Sequence, residues 1–275
     1  MQNLANRFRL LQFLPVLCLL GLLLGDCQGS WALEKSDDID TNRPSFCQSA
    51  IVVPKGSLQF ENGGLYQHFE HKINYFDVPE TELRLGLTKS TEFQVFVPQF
   101  TALYQAHGPR FIGASDITEL GIKQQIGPFK SLHGVVASAV ASMNIPTGER
   151  VFSGRGVEPV FRLPYAIPIN SKWTLCGMQS LEVLNRGRFV SYQPFVMLCR
   201  AFGAKNRFVA FCEYAGFFTT HLPDVQIAHF GAVYKLNKNN QIDTQFGFGI
   251  DRVAPRALVG IGYSYRFDKL PWGNK

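Results

Sequence analysis

The sequence predicts an all-β protein, a transmembrane antiparallel up-and-down β-barrel of about twelve strands, and three observations predict it. Residues 256–267, RALVGIGYSYRF, set Ala257, Val259, Ile261, Tyr263, Tyr265 and Phe267 on one face and Arg256, Leu258, Gly260, Gly262, Ser264 and Arg266 on the other. That period of two is a strand with one apolar face ending in aromatics and one small or charged face, Leu258 excepted. Composition is the second observation. There are 24 Phe and only 17% charged residues, where a soluble domain carries roughly 25%. The mean hydropathy is nonetheless zero, as it is when apolar and polar residues alternate along membrane strands. Third, only one long apolar run exists, whereas a helical membrane protein needs about 20 apolar residues per span.

That run is at the front. Arg7 and Arg9 precede LLQFLPVLCLLGLLLG at residues 10–25, and Ser30-Trp31-Ala32 suits signal peptidase. Residues 1–32 therefore read as a secretory signal peptide. Pro15 interrupts a run already short for a retained anchor, and Asp26 stands before Cys27 where a lipoprotein signal has a small residue. Cleavage removes Arg7, Arg9 and Asp26 and lowers the formal charge from +6 to +5. In an exported chain with singly spread charges, this basic balance does not point to nucleic acid. Four cysteines remain: Cys47, Cys176, Cys199 and Cys212. An oxidising periplasm permits disulfides, and all three full pairings stay open. Three of the four fall in predicted strands, where a small buried hydrophobe is the simpler role.

Residues 33–56 are polar, then turn-rich, with no period, and form an extended periplasmic leader or plug. The barrel occupies 57–267. Its first strand, 57–67, opposes Leu58 and Phe60 to Gln59 and Glu61. The second, 81–88, opposes Leu83, Leu85 and Leu87 to Glu82, Arg84 and Gly86. After a turn at Lys89-Ser90 the third sets Phe93, Val95 and Val97 against Glu92 and Gln94. A loop at 101–113 leads to the fourth, where Glu119, Gly121, Lys123 and Gln125 share a face. The fifth opposes Val135, Ala137, Ala139, Ala141 and Met143 to Ser138, Ser142 and Asn144.

A polar loop at 147–155 precedes the sixth strand, with Val157, Phe161, Leu163, Tyr165 and Ile167 against Glu158 and Arg162. The seventh sets Trp173, Leu175, Leu181 and Val183 against Lys172, Thr174, Ser180 and Glu182. The eighth and ninth, 188–200 and 207–219, alternate poorly, and Pro194 predicts a bulge or irregularity in the eighth. The tenth opposes Ala228, Phe230, Ala232, Tyr234 and Leu236 to His229, Gly231 and Lys235. The eleventh opposes Ile242, Thr244, Phe246, Phe248 and Ile250 to Gln241, Asp243, Gln245, Gly247 and Gly249. Residues 257–267 are the twelfth, and 268–275 a C-terminal extension. Connections after even strands are tight and those after strands one, three and five are longer, the pattern of short periplasmic turns and longer outer loops. An even strand count brings both termini to the periplasmic side.

If the apolar face meets lipid, the charged face lines the lumen, because a Lys or Arg at mid-membrane costs roughly 2–4 kcal/mol. Candidates for lumen selectivity are Glu82, Arg84, Glu119, Lys123, Glu158, Arg162 and Asp243. Twelve strands enclose more space than side chains fill in an eight-stranded barrel and less than a 16–18-stranded porin encloses. The lumen is then a narrow path for small solutes or a space filled by ion pairs. The leader enters from the periplasm and, through Asp40 and Arg43, is a candidate plug.

No catalytic constellation appears, and the sequence reads as a non-enzyme. None of the six histidines has a Ser two residues on, as a barrel lipid hydrolase would. His107 and His221-Leu222-Pro223-Asp224 match an outer-loop protease site only loosely. The His68 and His71 pair, beside a strand, is better explained by chance than by metal. No cofactor is implied.

Two resemblances add to this reading. Gly262-Tyr-Ser-Tyr265-Arg-Phe267 resembles the C-terminal signal by which Gram-negative outer membrane barrels are recognised for assembly. It implies the barrel assembly machinery and outer membrane lipid as partners, and the bacterial outer membrane as location. The stretch Asp40-Thr-Asn-Arg43-Pro44, then Pro54-Lys-Gly56-Ser-Leu58-Gln59-Phe-Glu61, resembles the start of the outer membrane transporter family of the meta-pathway of phenol degradation. Pro79-Glu80-Thr-Glu-Leu83, Asp116-Ile-Thr-Glu-Leu120, Ile145-Pro146-Thr147-Gly148 and Asn240-Gln241-Ile-Asp243 continue the match in order. Asn42 stands where that family commonly has Asp. The resemblance implies a transporter-type barrel and does not imply phenol as solute. The expectation is an outer membrane barrel that gives passive passage to small, aromatic or hydrophobic solutes. The alternative is a closed structural or surface-binding barrel acting through outer loops 101–113 and 147–155.

Overall fold

The computed structural model describes residues 38–105, 108, 110–268 and 270. The expected signal peptide, residues 33–37 of the leader, His107 and most of the 268–275 extension lie outside them. One antiparallel sheet holds every strand: β1 (Leu58–Phe69), β2 (Ile73–Gly86), β3 (Thr91–Phe96), β4 (Phe100–Gln105), β5 (Arg110–Ala114), β6 (Ile117–Phe129), β7 (Val135–Ile145), β8 (Glu158–Pro168), β9 (Trp173–Leu184), β10 (Phe189–Phe202), β11 (Phe208–Thr219), β12 (Val225–Asn237), β13 (Asn240–Gly249) and β14 (Ala257–Phe267). Each strand pairs with its neighbour, and β1 pairs with both β14 and β2, so the sheet closes on itself.

The fourteen segments make twelve spans. β3 pairs with the lower half of β2 and β4 with its upper half, so β3 and β4 are one strand broken at 97–99 around Pro98. β5 and β6 are likewise one strand broken at 115–116, and Ser115 and Gln99 bond across the two breaks. Closure removes all long exposed edges. The register Leu58↔Phe267 places the start of β1 and the end of β14 at one rim, the rim of the tight turns.

Two expectations are corrected and a third is narrowed. Residues 68–80 are not a long loop, because β1 runs to Phe69 and β2 starts at Ile73 across a three-residue 3-10 turn. The 101–113 loop is a hairpin of β4 and β5, held to β2 by the Thr101 hydroxyl donating to Asp77 at 2.6 Å. Pro194 gives the irregularity and not the bulge: the β10–β11 ladder skips Gln193 and Pro194 and resumes in the same register. The 147–155 loop is irregular as expected. It lies along β5, Glu149 donating its N–H to the Ala114 carbonyl at 2.8 Å, so the outer edge of that strand is covered.

The two faces divide as alternation requires. Val259, Ile261, Tyr263 and Phe267 are exposed on the outside, while Leu258, Ser264 and Arg266 are buried inside. The same alternation exposes Phe246 and Phe248 and buries Gln241, Asp243 and Gln245. Lys172 and Arg256, expected on the inner face, sit instead in turns at the two rims.

Candidate functional site: the barrel interior and the segment within it

Residues 38–56 occupy the interior. Their bonds reach strands around the whole circumference, which only a chain inside the barrel can do. Arg43 donates its N–H to Glu61 on β1 at 2.9 Å. Its guanidinium pairs with Glu80 on β2 and, at 3.5 Å, with Asp243 on β13. The Asn42 amide donates to both oxygens of Glu82 at 2.8 and 3.0 Å. Val53 N–H donates to Glu92 at 2.6 Å, Val52 N–H to Gln125 at 3.0 Å, and the Ser138 hydroxyl on β7 donates to the Ala50 carbonyl at 2.6 Å. Gln48 donates to Glu119 on β6. Phe46 and Cys47 N–H groups donate to Glu213 on β11 at 3.0 and 2.7 Å. The lumen side chains thus supply the partners that this strandless backbone lacks.

Under the segment lies a buried charge cluster. Arg84 bonds Glu61 and Glu92, each at 2.9 Å, and Lys123 reaches Glu92 at 3.1 Å. Arg84 also donates to the Asp40 carbonyl at 3.0 Å and the Ile51 carbonyl at 2.9 Å. Lys123 donates to Asn42 Oδ1 at 3.2 Å. All five charged groups of this cluster, Glu82 included, are fully buried. Such charges persist away from water only when paired and hydrogen-bonded, and removing one partner is costly.

Glycines make room where the segment crowds the wall. Gly63 and Gly262 face each other across β1 and β14, and a Cβ on either would overlap the Arg43 guanidinium. An apolar cluster forms opposite. Phe46 stacks on Phe195 at 6.1 Å and meets Phe217 and His229 edge-on at 5.7 and 4.8 Å, with Met197 and Phe211 in the same cluster. His229 is buried between Glu213 at 2.6 Å and Gln245 at 2.9 Å. Burial, and next Glu213, push the Cys47 thiol well above its ordinary pKa. Two cavities flank the segment. One of about 520 Å³ lies toward the tight-turn rim beside Pro54, Lys89 and Arg266. One of about 250 Å³ lies among Cys47, Tyr165, Met197 and Phe211.

Six of the seven inner-face candidates sit in these contacts. Glu82, Arg84, Lys123 and Asp243 bond the segment directly, as does Glu119, which also pairs with Arg162 at 2.9 Å. Glu158 stands apart near the opposite rim, accepting from Asn185 N–H at 2.9 Å. Arg43 sits in the interior, and Asp40 contributes its carbonyl, which also accepts from Gln59 at 2.7 Å. Tyr265 and Phe267 lie edge to face at 4.3 Å on the outer surface at the tight-turn rim. Sequence reasoning missed Asn42, Glu213, His229 and Asp116. Asp116 ties two motifs together, accepting from Gly148 and Gly154 N–H groups, each at 2.8 Å, and so pins the 146–157 loop. Among the described residues no group of three His, Cys, Asp or Glu is arranged to hold a metal ion. His68 bonds Asn74 at 2.8 Å.

A closed twelve-stranded barrel with a lipid-facing apolar exterior and a largely polar interior is an outer membrane β-barrel, and the bacterial outer membrane is its location. The family described as "Putative MetA-pathway of phenol degradation" matches residues 41–267, and the chain belongs to that family. Its fold resembles an outer membrane channel from Pseudomonas putida F1, with TM-score 0.58 and 12% identity over 84% of this chain and 100% of that one. It also resembles the NanC porin, with TM-score 0.53 and 8% identity over 75% and 98%. The beta domain of the Bordetella autotransporter BrkA gives TM-score 0.51 and 11% identity over 78% and 100%. No curated protein matches the sequence.

Proposed function

We propose that this barrel gives small solutes passive passage across the outer membrane, aromatic or hydrophobic ones among them, along a path that the 38–56 segment plugs. One observation carries the reading: two cavities against the segment, both in the tight-turn half of the barrel, share Asp40, Ile51, Val136 and Lys235 as lining, so moving the segment joins them into one space in that half. Tyr165, Met197 and Phe211 give the inner cavity an apolar wall suited to a ring, while Lys89 and Arg266 give the other a basic mouth. Family membership and the channel-type fold support the same reading. Glu82, Arg84, Glu119, Lys123, Arg162 and Asp243 act in it as the seat of the plug, and selectivity belongs to whichever of them the segment uncovers.

A second reading has its own observation. The central charged groups are fully buried and paired, as in a permanently closed structural barrel that works through its outer loops. Liposome swelling with the purified protein separates the two. Swelling in a permanently charged aromatic solute that exceeds that of empty liposomes in the same solute supports passage. Swelling equal to empty liposomes for every solute, before and after removal of residues 33–56, supports the closed barrel.

A further inference from the structure

The five tight turns, at the rim where β1 starts and β14 ends, are one-sided in charge. Each carries a lysine, Lys89, Lys130, Lys172, Lys205 or Lys238, and none carries Asp or Glu. The connections at the opposite rim mix signs, with Glu70, Glu149, Asp224 and Asp251 among their cations. Short turns of an outer membrane barrel face the periplasm, so the one-signed rim lies at the headgroups of the inner leaflet.

One cation at this rim stands on the lipid face itself. On β10 Phe195 and Met197 are buried inside, while Val196 and Phe202 are exposed outside. Arg200 shares the parity of Val196 and Phe202, so it points outward, and it is exposed. It stands opposite Trp173 on β9 and Ala210 on β11. Its guanidinium lies over the Trp173 ring at 5.2 Å and the Phe202 ring at 4.8 Å, and Phe202 meets Phe208 at 5.5 Å. Aromatic groups of this kind mark headgroup depth.

Rings against the face of a guanidinium leave its N–H edge for a further partner. Among the described residues that edge has no hydrogen-bond acceptor and no acid. Lys205 and Arg207, in the turn that follows β10, are exposed and likewise form no ion pair among the described residues. Lys172 differs, because it braces that turn by donating to the Gly203 carbonyl and to Asn206 Oδ1, each at 2.6 Å. The partner that completes Arg200 is anionic, lies at headgroup depth and accepts two parallel N–H bonds, which is the chemistry of a phosphate. A zwitterionic headgroup brings its own ammonium toward Lys205 and Arg207, and an anionic one does not.

We infer that Arg200, lying over Trp173 and Phe202, binds the headgroup phosphate of an anionic phospholipid of the inner leaflet, with Lys205 and Arg207 selecting that lipid over a zwitterionic one. The inference rests on the location of the barrel in the outer membrane and not on passage through it, so a silent barrel and a conducting one make the same prediction.

Quenching of Trp173 tests this. The exported chain, residues 33–275, carries Trp173 and Trp272, and W272F leaves Trp173 as the reporter. The protein is refolded into vesicles of phosphatidylcholine with a minority of phosphatidylglycerol. In one set bromine is on the acyl chains of the phosphatidylglycerol, and in the other on an equal number of phosphatidylcholine molecules. Overall composition and bromine content are then identical. The site predicts stronger Trp173 quenching by the brominated phosphatidylglycerol, loss of most of that excess in R200A, and no loss in K130A, whose turn joins β6 to β7. R200Q takes the place of R200A should the latter fail to give a barrel with heat-dependent gel mobility. Equal quenching by the two sets in the wild type overturns the inference. So does an excess that survives the Arg200 substitution, or one that K130A lowers as much, because the attraction then belongs to the whole rim.

Discussion

Asn42 holds Glu82 with both hydrogens of its amide, at 2.8 and 3.0 Å, while its oxygen accepts from Lys123 at 3.2 Å and from the Ser49 N–H at 3.0 Å. One neutral side chain thus joins the internal segment to an acid and a base of the wall. Asn42→Asp sets a second carboxylate against the buried Glu82 and removes two donated bonds. A hydrogen bond to a charged group is worth about 1.5–3 kcal/mol. At about 2 kcal/mol the population with the segment unseated rises about 30-fold. Protease cleavage within residues 38–56 of the refolded protein reads this, and an unchanged cleavage rate counts against Asn42 as an anchor.

Arg84 is the hub beneath the segment. Arg84→Ala leaves Glu61 without its ion-pair partner and Glu92 with Lys123 alone, and leaves the Asp40 and Ile51 carbonyls without this donor. Breaking a buried pair from one side costs about 3–5 kcal/mol. The midpoint of the heat-induced gel-mobility shift should drop clearly. Glu92→Gln should lower it too, because one of the two oxygens that accept from Arg84, Lys123 and the Val53 N–H becomes an amide nitrogen that cannot accept. Equal midpoints for R84A and wild type would place the cluster in water.

The Cys47 thiol gives a pH test. Its raised pKa means less thiolate at every pH, so in protein reduced beforehand its alkylation stays slow from about pH 7 to about pH 9. Unfolding in denaturant should bring Cys47 to the rate of a free cysteine in solution. Fast labelling of Cys47 in the folded barrel would show an open interior.

Phe267 packs edge-on to Phe60 at 5.8 Å and to Tyr265 at 4.3 Å. Phe267→Ala loses aromatic contacts worth about 1 kcal/mol. An assembly-signal role predicts that it also reduces the amount of heat-modifiable barrel in the outer membrane by far more than its small loss of stability. Full yield with only a lowered midpoint would make Phe267 a packing residue.

Most of the barrel was legible because its strands have two unlike faces. Leu83-Arg84-Leu85 and Phe246-Gly247-Phe248 state their orientation in three residues. β10 and β11 were hard to read because their inner positions mix polar residues (Ser191, Gln193, Glu213) with large apolar ones. Phe195, Met197 and Phe211 are apolar inside because they pack on Phe46 and Cys47, residues over 140 positions away in sequence. The β4–β5 hairpin was read as a loop because a long-range bond, Thr101 to Asp77, holds it. For the interior, alternation identified the charged wall but not its partners. The segment has no period, so nothing local told that the Asp40 carbonyl or the Asn42 amide would meet Arg84 or Glu82.

Single-channel conductance of the refolded exported chain in a planar bilayer, with and without residues 33–56, tests the central claim most directly. A plugged path predicts rare, brief openings with the segment and steady conductance without it, in barrels whose heat-dependent gel mobility proves them folded. Silence in both forms of a folded barrel would contradict the account and leave a closed structural barrel.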